Sequence, residues 1–196
     1  MLVHHHQLRI MFAIMNELKK PKFYSNHRYR QGQNKEKPLE SNDNIKELLL
    51  NDKLNILDIG FGTGTSTKNL YSSDKNNYFC IESYMQGINN LKKYIKLNEI
   101  KNICIFHGDA TDIISEILPD ESIDEILIFF PDPWPKTKHH KRRLINAYTL
   151  NLFFSKLKNN GVLHFATDHI IYAYSARYML EKFTGQKILF NANRRR

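Results

Sequence analysis

Between Leu54 and Thr65 the chain reads Leu-Asn-Ile-Leu-Asp-Ile-Gly-Phe-Gly-Thr-Gly-Thr, an apolar strand-like run that empties into three alternating glycines. Few folds tolerate such a stretch. Glycines let the backbone take conformations closed to other residues and let a ligand approach it closely, while a helix that follows presents unpaired N–H groups. The surrounding pattern agrees. Short apolar runs at 54–59, 77–82, 102–106, 123–130, 161–166 and 186–190 alternate with helical segments near 65–73, 84–98, 110–117, 145–159 and 169–183. Within the second of these, Ile88, Leu91 and Ile95 recur at helical spacing. A capped helix is also expected from Asn42, and Asn159-Asn160-Gly161 is expected to turn the fourth of these helices into the next strand. Strand–helix alternation of this kind predicts an α/β, Rossmann-like fold: a mostly parallel sheet with helices on both faces.

The glycine loop narrows the ligand. A dinucleotide fingerprint would need glycine at 65 or 67, where threonines stand, and no Gly-Lys-Ser/Thr of a P-loop occurs. Asp58, two residues before Gly60, would repel a pyrophosphate but could receive an ammonium, directly or through water. Glu82 ends the second strand, where an acid can accept both hydroxyls of a ribose. Asp109, after the third strand, could accept from an adenine amino group. Alone, Glu82 could be a surface acid and Asp109 only a helix cap. Asp58, Gly60, Gly62, Glu82 and Asp109 taken in this order suit S-adenosylmethionine, a nucleoside with an amino-acid tail.

The net charge of +9 is concentrated. Lys19 to Lys37, Lys136 to Arg143 and Arg194 to Arg196 hold about half of the 29 basic residues and a single acid, Glu36, so the rest of the chain is net acidic. Cationic patches on an acidic body favour a polyanion bound at defined places. Residues 1–40 lack a sustained period and read as a basic, flexible arm, in which Lys22 to Arg30 interleaves aromatics with bases as a nucleic-acid contact would. His4-His5-His6 is a weak metal signal, and Met11 and Met15 are alternative starts. The domain proper is expected over 41–196. No apolar run approaches a membrane span, and Cys80 and Cys104 sit in apolar runs as buried hydrophobes, which fits a cytoplasmic location.

After the fourth strand comes Phe129-Phe130-Pro131-Asp132-Pro133-Trp134-Pro135-Lys136, then Thr137-Lys138-His139-His140-Lys141-Arg142-Arg143. Each proline fixes its own φ and pushes the residue before it toward an extended backbone, so Asp132 and Trp134 should have little freedom. A carboxylate, a flat ring and a lysine are thus presented beside a cationic block. His139 and His140 lack partners at metal-ligand spacing, and no metal is expected.

At these residues the sequence resembles the bacterial tRNA (guanine-N7)-methyltransferases. The resemblance is carried by Asp58-Ile59-Gly60-Phe61-Gly62, Ile81-Glu82, Gly108-Asp109-Ala110, Phe130 to Lys136 with His139 to Arg143, and Phe165-Ala166-Thr167-Asp168, and covers roughly 40–185. The first three motifs are shared by many class I methyltransferases, and the Pro-Asp-Pro-Trp block is specific. The resemblance implies methyl transfer from S-adenosylmethionine to N7 of a guanine in the tRNA variable loop. It also implies that Asp58, Gly60, Gly62, Glu82, Asp109, Ala110 and Asp132 lie at the cofactor. Asp132 would be catalytic, and Lys136 and Asp168 would contact tRNA.

The chemistry accords with those roles, because N7 of guanine carries a free lone pair and needs no general base. Asp132 could accept from guanine N1–H and the N2 amino group, or stabilise the charge that appears on the ring. Trp134 could stack on a base or pack under its loop. Lys136, Lys138, Lys141, Arg142 and Arg143 would hold phosphates, and Asp168 could bind the nucleotide or cap the helix beginning near His169. The resemblance further implies a Thr-Lys/Arg-Phe/Tyr-Glu motif and a final antiparallel strand beyond 186–190, and this sequence ends at Arg196 before either. Six strands are therefore expected, without the last. Two rival functions remain at this stage: a protein that binds S-adenosylmethionine and RNA without turnover, and a methyltransferase acting on an exocyclic amino group. The latter usually carries a Pro-Pro-aromatic sequence, which Asp132-Pro133-Trp134 is not.

Overall fold

The computed structural model describes residues 45–71 and 75–188. The expected arm over 1–40, the Lys22 to Arg30 stretch and the Arg194 to Arg196 cluster lie outside the described residues. In chain order the elements are α1 (Ile45–Leu50), β1 (Leu54–Ile59), α2 (Thr65–Leu70), β2 (Asn76–Glu82), α3 (Met85–Leu97), β3 (Ile103–His107) and α4 (Ala110–Ile117). They continue as β4 (Ile123–Phe129), a 3-10 turn over Thr137–Arg142, α5 (Ala147–Lys156), β5 (Leu157–Ala166) and α6 (Ile170–Thr184).

The strands form one sheet in the order β3-β2-β1-β4-β5, with every neighbouring pair parallel. Alternation of side chains across the pleat divides the core in two. Leu57, Ile59, Phe79, Ile81, Phe106, Ile126 and Ile128 pack with residues of α4, α5 and α6. Ile56, Tyr78, Cys80, Ile103, Ile105 and Leu127 pack instead with Phe61, Tyr71, Ile88 and Leu91, beneath α2 and α3. Both faces of β1, β2 and β3 are thus covered, which explains their nearly unbroken apolar sequence. The order reverses between β1 and β4, and the crevice outside the carboxyl ends of strands at such a reversal is where sheets of this type bind ligands.

The polar exceptions in the sheet lie at its opposite end. Asn55 and Asn77 face each other across β1 and β2 and are fully buried. The Asn77 amide donates to the Leu48 carbonyl at 2.8 Å, to Asn51 Oδ1 at 2.8 Å and to Asn55 Oδ1 at 2.9 Å. Asn55 donates to the carbonyls of Leu49 and Ser122, and Asn102 to that of Asn76. Buried amides are tolerated because they are paired, and here the pairing fastens α1 to the starts of the strands.

Two expectations need correcting. The helix expected over 145–159 ends at Lys156, and Asn159-Asn160-Gly161 lies inside β5. Pairing begins early because Glu121 and Ser122 donate to the carbonyls of Ser155 and Lys156. Ile123 then faces Leu157 and Glu125 faces Val162, so Lys158 to Gly161 bulge opposite Asp124, where Lys158 Nζ meets the Asp124 carboxylate at 2.8 Å. The sixth strand expected at 186–190 is not formed over Gln186 to Ile188, and its last two residues lie outside the described ones. There the chain turns at Gly185, with φ of 68°, and the Ile188 N–H bonds Glu181 Oε1, which holds the stretch against α6.

Candidate active site

Gly60, Gly62 and Gly64 all adopt left-handed backbone, with φ of 79°, 60° and 76°. The loop is tied to β2 rather than left free. Gly60 N–H bonds the Ile81 carbonyl at 2.8 Å, and Gly62 N–H bonds Glu82 Oε2 at 2.7 Å. The other oxygen of Glu82 accepts from the Ser83 and Tyr84 N–H groups at 2.6 and 2.9 Å and from Ser83 Oγ at 3.1 Å. Glu82 therefore shapes the loop. No heavy atom lies within 4 Å of where a Cβ would stand at Gly60 or Gly62, so space opens directly over this backbone. Gly87 in α3 contrasts sharply. A Cβ there would lie 1.8 Å from the Gly62 carbonyl oxygen, so the helix presses backbone to backbone against the loop.

Asp58 is buried on the α2–α3 side of the sheet, 4% exposed. Tyr71 Oη donates to its Oδ2 at 2.8 Å, Thr67 Oγ1 lies 3.4 Å from the same oxygen, and Tyr71 Oη also meets Cys80 Sγ at 2.8 Å. Burial pushes the Asp58 carboxyl up to about 6, partly opposed by those two hydroxyls and reinforced by the charge of Glu82. Burial likewise raises the Tyr71 hydroxyl and the Cys80 thiol well above their usual values. The structure thus directs this carboxyl to the helix that follows the glycines. Asp109 caps α4, its Oδ1 accepting from Thr111 N at 2.9 Å and Thr111 Oγ1 at 2.5 Å, and Ala110 opens that helix. Gly108 N–H bonds the Glu82 carbonyl, which sets Asp109 and Ala110 beside the end of β2.

The proline block leaves β4 at the reversal of strand order. Phe130 N–H bonds the Ala166 carbonyl of β5 at 2.8 Å, and Asp132 is exposed just beyond. Trp134 departs from the expected extended backbone: its φ is 44°, in the left-handed region, and that of Phe130 is 53°. A residue before proline is barred chiefly from the right-handed helical region, and contacts select among the rest. Here the Arg142 guanidinium lies 4.8 Å from the centre of the Trp134 ring, and His139 meets that ring edge-on at 5.7 Å. Trp134 therefore packs within its own loop, and the two histidines serve the same packing, with His140 Nε2 3.4 Å from the Pro135 carbonyl.

Arg143 differs from the phosphate contact expected of it. It is 4% exposed, donates from Nε to the Pro133 carbonyl at 2.9 Å and from Nη1 to Ser175 Oγ at 2.8 Å, and lies over the Tyr172 ring. Lys136, Lys138 and Lys141 are exposed. Asp168 is also exposed, and it does not cap α6. That position belongs to His169, whose Nδ1 accepts from Tyr172 N at 3.2 Å.

The order of strands, the glycine loop and the acids at successive carboxyl ends form the frame of a methyltransferase, and comparison with known proteins agrees. A family model described as "Putative methyltransferase" matches residues 52–195. The chain belongs to this methyltransferase family. The chain is 45% identical over 119 residues to a tRNA (guanine-N(7)-)-methyltransferase of Corynebacterium diphtheriae, an alignment covering 60% of this chain and 46% of that protein. It is 40% identical over 137 residues to the protein of that name from Nitrosococcus oceani, covering 69% and 58%. The chain thus spans about half the length of the curated relatives it matches. Among solved structures, precorrin-6y C5,15-methyltransferase from Geobacter metallireducens superimposes with a TM-score of 0.53 at 19% identity, covering 70% of this chain and 67% of that one. That likeness concerns the fold.

Several residues that build this candidate site are not marked by any motif of the sequence. Gly87 had a usable signal, since glycine inside a helix costs about 1 kcal/mol against alanine and needs a reason. Tyr71, Tyr172 and Ser175 had none. Each acts through a partner far along the chain.

Proposed function

We propose that the protein transfers a methyl group from S-adenosylmethionine to N7 of a guanine in tRNA, in the variable loop, and does so in the cytoplasm. The observation that carries this reading is the proline block. It matches the specific motif of the resemblance, it stands at the reversal of strand order beside β1, and Arg143 and Phe130 fasten it to α6 and β5. The relatives named above bear the corresponding name.

S-adenosylmethionine would supply an electrophilic methyl on sulfur. The glycine loop and Glu82 Oε2 would receive its ribose side, and Asp109 and Ala110 its base, in keeping with the open space over Gly60 and Gly62. Asp58 would act from below, holding α2 and hence the loop in place. The guanine N7 lone pair would form the new N–C bond while the electrons of the broken C–S bond stayed on sulfur, so no residue of this chain would need to take a proton. What the chain must do is orient the base and accommodate a purine that turns cationic, and positioning can supply much of such a rate. Asp132, exposed between two prolines, would serve that task. Lys136, four residues further on, and Asp168, just after β5, are exposed and would meet the RNA.

The test is methylation of unmodified tRNA by this chain followed by nucleoside analysis. 7-Methylguanosine should appear only with S-adenosylmethionine present, and Asp132→Ala should abolish it. Full activity in that variant would remove Asp132 from the chemistry, and a methylated adenine or cytosine would replace the reading.

A further inference from the structure

Phe130 ties its backbone to β5 but leaves its side chain largely in solvent. It adopts φ of 53°, a region L-residues other than glycine, asparagine and aspartate seldom occupy, and its side chain is 66% exposed. Its N–H is nonetheless held by Ala166, so the conformation is imposed rather than incidental. Strained backbone of this kind concentrates at functional sites, where surrounding structure maintains it. The left-handed turn at Phe130 breaks the direction of β4 immediately before Pro131 and Asp132. It also leaves a large ring bare at the carboxyl end of β4, beside β1, where the strand order reverses. Of the other aromatics in the block, Phe129 packs against the core beneath α2 and α3, and Trp134 is occupied by Arg142 and His139.

Resting on the reading under Proposed function, we propose that Phe130 is the stacking platform for the target guanine and discriminates in favour of the methylated, cationic ring. A neutral purine gains ordinary stacking on an aromatic face. Once N7 is alkylated the purine carries a positive charge, and the negative face of the Phe130 ring attracts it. That attraction grows as the N–C bond forms. It is therefore stronger in the transition state than in the substrate complex, which is what accelerates a chemical step.

Two variants separate ring chemistry from bulk: Phe130→Tyr keeps the aromatic face, and Phe130→Leu keeps apolar volume without it. The first readout needs no turnover. Binding of 7-methylguanosine monophosphate and guanosine monophosphate to the whole chain is compared by titration calorimetry. Wild type and Phe130→Tyr should favour the methylated nucleotide by about tenfold, and Phe130→Leu should lose the preference. The second readout is tRNA methylation, where Phe130→Leu should lower kcat by about tenfold with S-adenosylmethionine affinity unchanged. A preference retained in Phe130→Leu overturns the proposal even if the enzyme is active, as does undetectable binding of both nucleotides by wild type. A wild-type protein that shows the ring-dependent preference but methylates no tRNA supports the stacking role and rejects the activity.

Discussion

Arg143 donates from Nε to the carbonyl oxygen of Pro133 at 2.9 Å, so the last cation of the basic block grips the proline turn that carries Asp132. The same guanidinium reaches Ser175 and covers Tyr172, joining the turn to α6. A lysine has no planar fork with which to serve both acceptors. Arg143→Lys should therefore cost about 2 kcal/mol of stability. Thermal unfolding would show this as a fall of several degrees. Methyl transfer should drop at least about tenfold while S-adenosylmethionine affinity holds, since a misplacement of about 1 Å near the chemistry suffices for such a loss. An unchanged kcat would separate Arg143 from the placement of Asp132.

Asp58 gives the fold a pH dependence of known sign. Its folded value of about 6 lies above the ordinary 3.8, so the folded state holds a proton that the unfolded chain has already released. The stabilising contribution is complete below about pH 4 and is lost as pH rises through about 6. A shift of this size corresponds to about 3 kcal/mol against the charged form at neutral pH. Asp58→Asn keeps an acceptor for Tyr71 without the charge. Unfolding midpoints taken from pH 4 to 7 should fall less steeply in the variant than in wild type, and parallel curves would reject the assignment.

The contact between Gly87 and the Gly62 carbonyl predicts a binding defect from a methyl group. Gly87→Ala improves helix propensity yet places a Cβ where the loop already stands. Overpacking of this kind costs about 1–3 kcal/mol, and here the displaced group is the loop itself. Affinity for S-adenosylmethionine, measured by calorimetry, should weaken by about tenfold or more on that scale. Retained affinity would mean that α3 yields instead of the loop.

Lys136, Lys138 and Lys141 are exposed around the proline turn, in contrast to Arg143. Replacing all three with alanine should weaken tRNA binding and lessen the slope of log affinity against log salt by about 2–3. Filter binding across a range of salt concentrations measures both. An unaltered slope would place the RNA elsewhere.

The sheet, the glycine loop and the acids at the strand ends could be read from the chain because each is a local pattern: apolar runs, alternate glycines, an acid at a run's end. Glu82 was legible as the acid that ends the second strand, whereas its grip on Gly62 was not, since that bond joins a strand end to a loop 20 residues earlier in the chain. The basic block misled at one position. Lys138, Lys141, Arg142 and Arg143 look equivalent in sequence, and only the 3-10 turn over Thr137–Arg142 decides which of them faces Tyr172. Asn159-Asn160-Gly161 has the composition of a turn and is a bulge, because the pairing of Ile123 with Leu157 begins before it. Phe130 was readable as the end of a strand, but neither its left-handed backbone nor its exposure is a property of local sequence.

Asn55 and Asn77, facing each other at the amino ends of β1 and β2, act as a datum for the whole sheet. A slip of one residue between these strands would strand both amides in apolar surroundings, so the alignment is keyed at the end remote from the chemistry. Everything at the other end is then measured from a fixed origin. The asparagines stand at the far end of the strands, yet the register they key decides where the glycine loop leaves β1 and where Glu82 ends β2.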